Sequence, residues 1–118
     1  MENQHRKITG YRELSQEEID LMNRIKAKGS EMMTLITELE GRLETDEEYK
    51  TAEARRSVFG MFDGYGRQYT EHNGSTDECH ELRRFRSADP RAWAGVGKVD
   101  IQTGIMALVR AVAQPAGV

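Results

Sequence analysis

Residues 14–44 read LSQEEIDLMNRIKAKGSEMMTLITELEGRLE, and this stretch decides the fold class. Its apolar residues recur at steps of three and four, which places them on one face of an α-helix. These residues are Ile19, Met22, Ile25, Met32 or Met33, Ile36, Leu39 and Leu43. Ser15 and Glu18 precede the run with the spacing of a capping box. The pattern predicts one long helix over about 16–44, which Gly29 interrupts and bends or weakens locally.

The carboxyl-terminal part of the chain carries a second helical signal. Asp89 at an N-cap and Pro90 at the first helical position are strong start signals. Helical periodicity follows at Trp93, Val96, Ile101, Ile105, Leu108 and Val112. Because Pro115 cannot continue a helix, we expect the second long helix over about 90–113. The two helices predict an all-α fold in which they pack together as a hairpin.

The middle of the chain, about 45–88, predicts a partly helical, loop-rich excursion from this hairpin. Two further capping-box spacings indicate short helices near 46–60 and 76–86. These spacings join Thr45 to Glu48 and Ser75 to Glu78. Between them, residues 59–76 read FGMFDGYGRQYTEHNGST, whose glycines are typical of turns and loops. The sequence shows no internal repeat or low-complexity tract, and we expect residues 1–118 to form a single helical-hairpin domain.

Four aromatic rings stand in the glycine-rich part of this excursion, which is too many for a purely solvated linker. They belong to Phe59, Phe62, Tyr65 and Tyr69. Two roles are open for them: packing onto the hairpin, which is the more common role, and stacking on a ligand. We expect the excursion to tune ligand choice rather than to hold an oligomer together.

The composition limits the size of the hydrophobic core. Of the 118 residues, 31% are charged and 37% are hydrophobic, and the mean hydropathy is -0.72. A chain this polar buries only a modest core by itself, and self-association is one way to bury more apolar surface. Gly97, Gly104 and Ala111 stand seven apart in the second helix. This spacing indicates the close approach of another backbone, from either the first helix or a neighbouring subunit.

Charge, cysteine usage and hydropathy exclude several classes of protein. A net charge of -3 argues against binding to DNA or RNA polymers. No apolar run approaches the roughly 18 residues that a membrane-spanning helix needs. The amino terminus, MENQHRKITG, lacks the apolar region of a secretory signal. Cys79 is the single cysteine, so no intramolecular disulfide forms, and we expect a reduced cytoplasmic protein.

The sequence carries no recognisable catalytic motif. It has no phosphate-binding P-loop, no G-x-S-x-G nucleophile elbow and no H-E-x-x-H zinc motif. His72, Asp77, Cys79 and His80 are close in sequence, but their spacing fits no established zinc site. We therefore expect a binding protein rather than an enzyme, with no catalytic residue, no metal site and no cofactor.

The remaining chemistry is typical of ligand binding. Tyr11 stands before the first helix, where a ring can stack on a nucleotide base or act only as a hydrophobic staple. Lys26 and Lys28 lie further along that helix, and their cations suit phosphate groups. Arg91 and Trp93 lie in the first turn of the second long helix, where free amides also favour anions. These five residues are our candidate ligand-binding set.

Two stretches together resemble a known family. They are ITGYRELSQEEIDLMNRIKAKG at residues 8–29 and DPRAWAGVGKVDIQTGIMALVRAVAQP at residues 89–115, about 50 of the 118 residues. They are similar to the phage-encoded sponges that comprise the anti-CBASS protein of the second type and the Thoeris anti-defence protein of the first type. The second stretch is the more specific, above all from Asp100 to Ala111.

This resemblance implies a compact hexamer of helical hairpins that sequesters cyclic oligonucleotide messengers of bacterial antiphage systems without reacting with them. In the anti-CBASS members, a tyrosine before the first helix stacks on the bases of cyclic dinucleotides, and a lysine on that helix meets the phosphates. Tyr11 and Lys26 stand at the matching positions. Separate pockets take cyclic trinucleotides, for which Arg91 is the candidate. The implied location is the cytoplasm of the infected bacterial host.

The long middle segment departs from the shorter anti-CBASS members and leaves the preferred messenger open. The segment has three open roles: it covers a pocket, builds another one or only decorates the hexamer. The Thoeris-related members bind cyclic ADP-ribose isomers, and binding of such a ligand through this segment, alone or in addition to cyclic dinucleotides, is an alternative. A helical adaptor protein that uses the hairpin for protein contacts is a further alternative.

The two amphipathic helices, the small-residue stripe and the small core together predict a mostly helical homo-oligomer. We expect light scattering on the purified protein to give the mass of a hexamer, because the apolar faces need partners. A protein that remains monomeric at micromolar concentration contradicts this prediction.

Overall fold

Residues 12–115 are described by the computed structural model, and within this range the chain forms three α-helices. They are α1 (Gln16–Val58), α2 (Asp77–Ala88) and α3 (Pro90–Ala113). Extended pairing in the same range is limited to one isolated antiparallel bridge between Phe62 and Gln68. The predicted all-α class is therefore confirmed for the described part of the chain. None of the three helices is long and apolar enough to cross a lipid bilayer.

The first helix, α1, begins where the sequence predicts and continues well past residue 44. The Ser15 amide donates to the Glu18 carboxylate at 2.9 Å, and the Glu18 amide donates to the Ser15 hydroxyl at 3.1 Å. These reciprocal bonds confirm the capping box. The predicted second start after Thr45 is wrong, because Thr45 lies inside the helix and donates to the Gly41 carbonyl at 3.1 Å. A threonine satisfied in this way does not end a helix.

The boundaries of α2 and α3 differ from the sequence prediction in two details. The cap of α2 is Thr76, which accepts from the Cys79 amide at 3.1 Å, rather than the neighbouring Ser75. Thr76 has the extended backbone that a cap requires. The last long helix starts at Pro90, as predicted. Asp89 directly precedes this helix, but it does not have the extended backbone expected of an N-cap. Its backbone is left-handed, with φ 51°, and it is the C-cap of α2.

The described residues divide into two compact units. One unit comprises residues 12–36 and 97–115, and the other comprises residues 37–96. Both α1 and α3 contribute to each unit, whereas α2 belongs to the second unit alone. The chain therefore has two centres of packing, each of which is built partly from the same two long helices.

The second unit contains a small hydrophobic core where the end of α1 meets α2. Its members are Ala54, Val58, Cys79 and Leu82, with Tyr69 packed against them. Cys79 is fully buried, and its Sγ atom lies 3.7 Å from the Ala54 carbonyl oxygen. This lone cysteine is therefore a packing residue of the core.

Residues 69–74 are fastened to this core by two arginines. Arg83 donates to the carbonyl oxygens of Glu71 and Gly74 at 3.0 and 2.8 Å. Arg55 donates from Nε to the Glu71 carboxylate at 3.0 Å, and this hydrogen bond lowers the pKa of the buried Glu71. The base of the predicted loop is thus built into the core.

Residues 61–68 form an exposed hairpin tip above this base. The Asp63 carboxylate accepts hydrogen bonds from the amides of Tyr65 and Arg67 at 2.8 and 2.9 Å. The Arg67 guanidinium lies over the Tyr65 ring, 5.3 Å from its centroid. A side chain that accepts two backbone amides in this way fixes the path of a short turn, so the tip has a defined conformation of its own.

The four aromatic rings of this segment have different environments. Tyr69 packs against the core, as expected. Phe59 and Tyr65 are 81% and 86% exposed, and Phe62 is also exposed. For these three rings, the expectation that they pack onto the hairpin is wrong within a single chain. Phe62 and Tyr65 belong to the tip, which lies away from the core, and the ring of Phe59 is exposed although Phe59 directly follows Val58 of the core.

In the first unit, α1 and α3 approach each other at Gly29. A Cβ atom on Gly29 would lie 3.0 Å from Cγ1 of Ile105, and Gly29 is buried. The helix continues through this glycine, as the predicted span of 16–44 requires, and the role of Gly29 is close packing. A Cβ on Gly97 or Gly104 would meet no atom of α1 within 4 Å in the described structure. The first helix therefore does not pack closely against these two glycines.

Arg12 ties the segment before α1 to the end of α3, which stops at Ala113 as predicted. The Arg12 guanidinium donates from Nε to the Ala113 carbonyl at 3.1 Å and from Nη2 to the Val112 carbonyl at 2.7 Å. It also pairs with the Glu18 carboxylate at 2.7 Å. The last carbonyls of a helix lack partners within the helix and attract cations. One side chain thereby joins the two ends of the first unit.

This tie predicts a sensitivity to acid. The Arg12 hydrogen bond, and after it that of the Ser15 amide, lowers the pKa of Glu18 from 4.5 to about 2. Because the depressed pKa belongs to the folded state, the stabilisation is present above about pH 4.5 and is lost as the pH falls towards about 2. We expect Glu18→Gln to lower Tm at neutral pH, and by progressively less across this range.

Thermal unfolding followed by circular dichroism at one fixed protein concentration measures this difference. Glu17→Gln, an exposed acidic residue of the same first turn, is the matched control. A Glu18→Gln difference that stays constant through the acid range contradicts the predicted role of the Arg12 pair.

The packing at Gly74 predicts a difference between two glycines of the middle segment. A Cβ on Gly74 would lie 2.6 Å from Cγ1 of Val58 and 2.8 Å from Sγ of Cys79, whereas a Cβ on Gly64 would meet nothing within 4 Å. We expect Gly74→Ala to destabilise by about 1–3 kcal/mol through overpacking, and Gly64→Ala to change stability by at most about 0.5 kcal/mol. Urea denaturation compares them, and equal effects refute the assignment of Gly74 to the core.

Candidate ligand-binding site

A groove between α1 and α3 in the first unit is the best candidate for a binding site. It has a volume of about 450 Å³, within the roughly 300–1,000 Å³ usual for small-molecule pockets. Its lining residues are Lys26, Gly29, Ser30, Met33, Ile101, Gln102 and Ile105. Those from α1 stand at helical steps of three and four, so successive turns of one helix face contribute them.

The groove combines a cation, two neutral polar groups and an apolar wall. Lys26 supplies the positive charge, and Ser30 and Gln102 supply hydrogen-bonding groups. Gly29 has no side chain to occupy the space beside Ile105. A groove with this lining suits a small ligand that carries negative charge next to flat or apolar groups.

Of the candidate lysines in the amino-terminal stretch, one lines the groove and the other does not. Lys26 lines the groove, and its side chain is exposed. Lys28 stands two positions further on, outside the groove lining, and pairs with Glu31 at 3.7 Å. Residues two apart do not share a helix face, so one ligand in this groove does not reach both lysines of one chain. Tyr11 lies outside the described residues.

Arg91 lines a second cleft, which lies within the second unit. The cleft measures about 490 Å³ and is lined by Glu40, Leu43, Glu44, Arg91 and Ala92. The positive charge of Arg91 also adds to the lowering of the Glu47 pKa, whose main cause is the hydrogen bond from Arg86. Arg91 thus lies among carboxylates, and an anion bound there needs a further cation.

Trp93, the last of the candidates, is an exposed ring near the start of α3. It is 70% exposed and belongs to the second unit together with Arg91. The two residues stand two positions apart on α3, so they do not share a helix face. Trp93 does not line the cleft that contains Arg91.

The residues that were weighed as metal ligands have other roles. Cys79 is in the core, and the Nδ1 atom of His80 lies 3.2 Å from the Arg83 guanidinium. The exposed His72 lies 3.6 Å from the Glu71 carboxylate. Across residues 12–115, no three or more His, Cys, Asp or Glu side chains are grouped so as to hold a metal ion.

Sequence reasoning missed the residues that shape the groove around Lys26. Ser30 and Met33 stand four and seven positions after Lys26, and this helical spacing was a signal that they share its face. Gln102 and Ile105 come from α3, more than seventy positions along the chain. No local pattern indicates which face of α3 meets Lys26. Arg12 was also missed, although a cation beside a helix end is a known capping arrangement.

Comparison with known proteins identifies a clear relative of this chain. No family model matches the chain. A protein of Pseudomonas phage JBD67 named Anti-CBASS protein 2 is 56% identical to it over 117 residues, which are 99% of this chain and 99% of that protein. The similarity therefore spans the middle segment as well as the two stretches near the ends. The expectation that this segment sets the chain apart from the anti-CBASS members is wrong for this relative, which has a segment of matching length.

Proposed function

The chain belongs to the family of Anti-CBASS protein 2, and on that premise we propose that it is a phage anti-defence protein that sequesters cyclic oligonucleotide messengers. Cyclic dinucleotides are the proposed main ligands, and cyclic trinucleotides are a second class. The protein holds these messengers without cleaving them and acts inside the infected bacterial host.

The groove around Lys26 is the observation that carries this proposal. A cyclic dinucleotide presents two phosphates with one negative charge each and two bases with flat faces. Lys26 offers a cation for a phosphate, and charge-assisted contacts of this kind are roughly twice as strong as neutral hydrogen bonds. Ser30 and Gln102 add hydrogen-bonding groups, while Met33 and Ile101 add apolar surface.

Tyr11 completes the site in our proposal by stacking on a base. Stacking of this kind contributes roughly 1–3 kcal/mol per base. Within one chain, α1 starts at Gln16 and Lys26 lies ten positions further on, so the helical rise alone separates its start from Lys26 by about 15 Å. We propose that Tyr11 and Lys26 of one subunit do not contact the same small ligand. The proposed pocket is therefore shared, with Tyr11 from one subunit and Lys26 from another.

The distribution of apolar side chains supports self-association. In the described residues, six hydrophobic residues are buried, whereas fifteen large hydrophobic residues are exposed. Leu35, Met106 and Leu108 on the two long helices are 55%, 68% and 53% exposed. A single chain leaves these surfaces in water, and a homo-oligomer buries them. We propose a hexamer in which two-fold related subunits match the pseudo-symmetry of a cyclic dinucleotide.

Two further ligand assignments belong to the second unit. Arg91 is the proposed contact for cyclic trinucleotides, with added cations from a neighbouring subunit. The exposed Tyr65 and Arg67 of the hairpin tip favour an alternative, in which the middle segment binds cyclic ADP-ribose isomers. A ring and a guanidinium at one place suit an adenine base and its phosphates.

A thermal-shift panel tests these assignments against each other. The panel contains cyclic dinucleotides, cyclic trinucleotides and cyclic ADP-ribose isomers. Because a ligand that binds the folded state raises its apparent stability, the messengers that are bound raise Tm. We expect the largest shift from a cyclic dinucleotide. A shift from cyclic ADP-ribose isomers alone favours the alternative, and no shift from any of them favours an adaptor protein.

Variants of the shared pocket give the first prediction from this proposal. Tyr11→Ala and Lys26→Ala each remove one of the two main contacts, and each is expected to weaken dinucleotide binding at least about tenfold, the equivalent of about 1.4 kcal/mol. Lys28→Ala is the comparison variant, with a smaller expected loss because Lys28 lies outside the groove lining. Calorimetry measures the affinities, and light scattering checks that the oligomer persists.

A mixture of the two pocket variants sharpens this result. If subunits exchange, mixing Tyr11→Ala with Lys26→Ala restores some sites that hold both side chains, and part of the binding returns. Parental affinity in both single variants refutes the assignment of these residues, and leaves Tyr11 as a hydrophobic staple.

Binding without turnover is the second prediction. A cyclic dinucleotide is incubated with excess protein, the protein is heat-denatured, and the released nucleotide is chromatographed. We expect intact cyclic ligand, because the lining of the groove around Lys26 contains no histidine, cysteine or carboxylate beside the Ser30 hydroxyl. Recovery of linear or hydrolysed nucleotide identifies the protein as an enzyme.

A further inference from the structure

The contact between Gly29 of α1 and Ile105 of α3 lies inside the groove around Lys26. Both residues line that groove, and Gly29 is buried while Ile105 is half-buried. A Cβ atom on Gly29 would lie 3.0, 3.1 and 3.3 Å from Cγ1, Cγ2 and Cδ1 of Ile105. These separations are shorter than the ordinary contact distance between carbon atoms. The Ile105 side chain therefore occupies its place because residue 29 is glycine.

The polar groups of the groove stand next to this contact on both helices. Lys26 lies three positions before Gly29, and Gln102 lies three positions before Ile105. Residues three apart are neighbours on one helix face. The contact between Gly29 and Ile105 therefore determines how much space remains beside the cation of α1 and the side-chain amide of α3.

We propose that Gly29 is a specificity-determining residue, which keeps this groove open for a cyclic dinucleotide with two purine bases and so sets the largest ligand that the groove admits. This inference rests on the proposed function, in which the groove around Lys26 holds a cyclic dinucleotide. A purine has two fused rings and a pyrimidine has a single ring, so the number of purines decides how much space the ligand needs.

A side chain at position 29 acts on the groove through Ile105. The three atoms nearest to an added Cβ all belong to the Ile105 side chain. A side chain moves by changing its rotamer, whereas moving α3 requires the packing between two helices to change. Because Ile105 is half-buried and lines the groove, its side chain yields towards the groove. Alanine at position 29 thus removes space and leaves Lys26 and Gln102 in the sequence.

A second glycine of α1 supplies a matched control. Gly41 also lies in the interior of this helix, but a Cβ there would meet nothing within 4 Å in the described structure. Alanine favours a helix more than glycine does. Both substitutions therefore favour α1 locally, and only Gly29→Ala is expected to change the groove.

The experiment measures by calorimetry the binding of cyclic GMP–AMP, which has two purines, and of cyclic UMP–AMP, which has a single purine. Gly29→Ala is made in the parent protein and in Ile105→Ala, which lacks the three side-chain atoms close to the added Cβ. In the parent, we expect Gly29→Ala to weaken cyclic GMP–AMP binding about fivefold or more and cyclic UMP–AMP binding less than about twofold. In Ile105→Ala, the loss of cyclic GMP–AMP binding should be less than about twofold, because substitutions in contact are non-additive. Gly41→Ala should bind both ligands as the parent does.

Each outcome separates this inference from the proposed function. If the parent binds no cyclic dinucleotide, the proposed function fails and the inference fails with it. If the parent binds and Gly29→Ala binds cyclic GMP–AMP equally well, the inference alone fails. Equal losses for the two ligands, or in the two backgrounds, also overturn it, since the effect then depends neither on ligand size nor on Ile105. A parent that binds cyclic GMP–AMP and not cyclic UMP–AMP selects by base identity, which overturns the inference too.

Thermal unfolding and light scattering show whether each variant keeps its fold and oligomeric state. If Gly29→Ala does not fold, the double variant Gly29→Ala/Ile105→Val takes its place in the comparison of the two ligands. Valine lacks Cδ1 and keeps two Cγ atoms, so a smaller steric conflict remains. The expected order is unchanged: cyclic GMP–AMP loses more affinity than cyclic UMP–AMP, and the reverse order contradicts the inference.

Discussion

The continuity of α1 is the constraint on which the rest of the structure depends. This helix runs over 43 residues from Gln16 to Val58, a length of about 65 Å at the usual helical rise. Lys26 of the candidate site and Val58 of the small core lie on the same uninterrupted element. A single chain of this size does not cover a helix that long with apolar partners, so much of its hydrophobic face remains in contact with water.

Arginine side chains join segments of this chain that a larger hydrophobic core joins in other proteins. Arg12 joins the start of α1 to the end of α3, and Arg83 joins α2 to the base of the middle segment. Arg86 donates to the Glu47 carboxylate at 2.8 Å and so joins α2 to α1. The contacts of Arg12 and Arg86 join parts of the chain that are distant in sequence. In a polar chain with few buried residues, charge-assisted hydrogen bonds therefore fix how the non-helical segments lie on the helices.

The sequence was informative where a feature depends on neighbouring residues. The Ser15 cap and the start of α3 at Pro90 follow from local backbone chemistry and were predictable. The same rule misled at Thr45, because the motif is also compatible with a helix interior. The groove around Lys26 was predictable on its α1 side and not on its α3 side. The contacts of Arg12 with α3 could not be predicted for the same reason, since tertiary packing alone brings the Val112 and Ala113 carbonyl oxygens near its side chain.

The hairpin tip at residues 61–68 has a consequence for how such proteins diversify. Its conformation is fixed by the Asp63 turn, and its base is held by Arg83, so the tip depends little on the side chains that it displays. Gly64 and Tyr65 can change without disturbing the core, because neither packs against it. Substitutions at these positions of the hairpin tip are therefore tolerated by the fold, so the tip can change as phages and their hosts evolve against each other. The tip is also a suitable position for grafting a peptide or fusing a reporter.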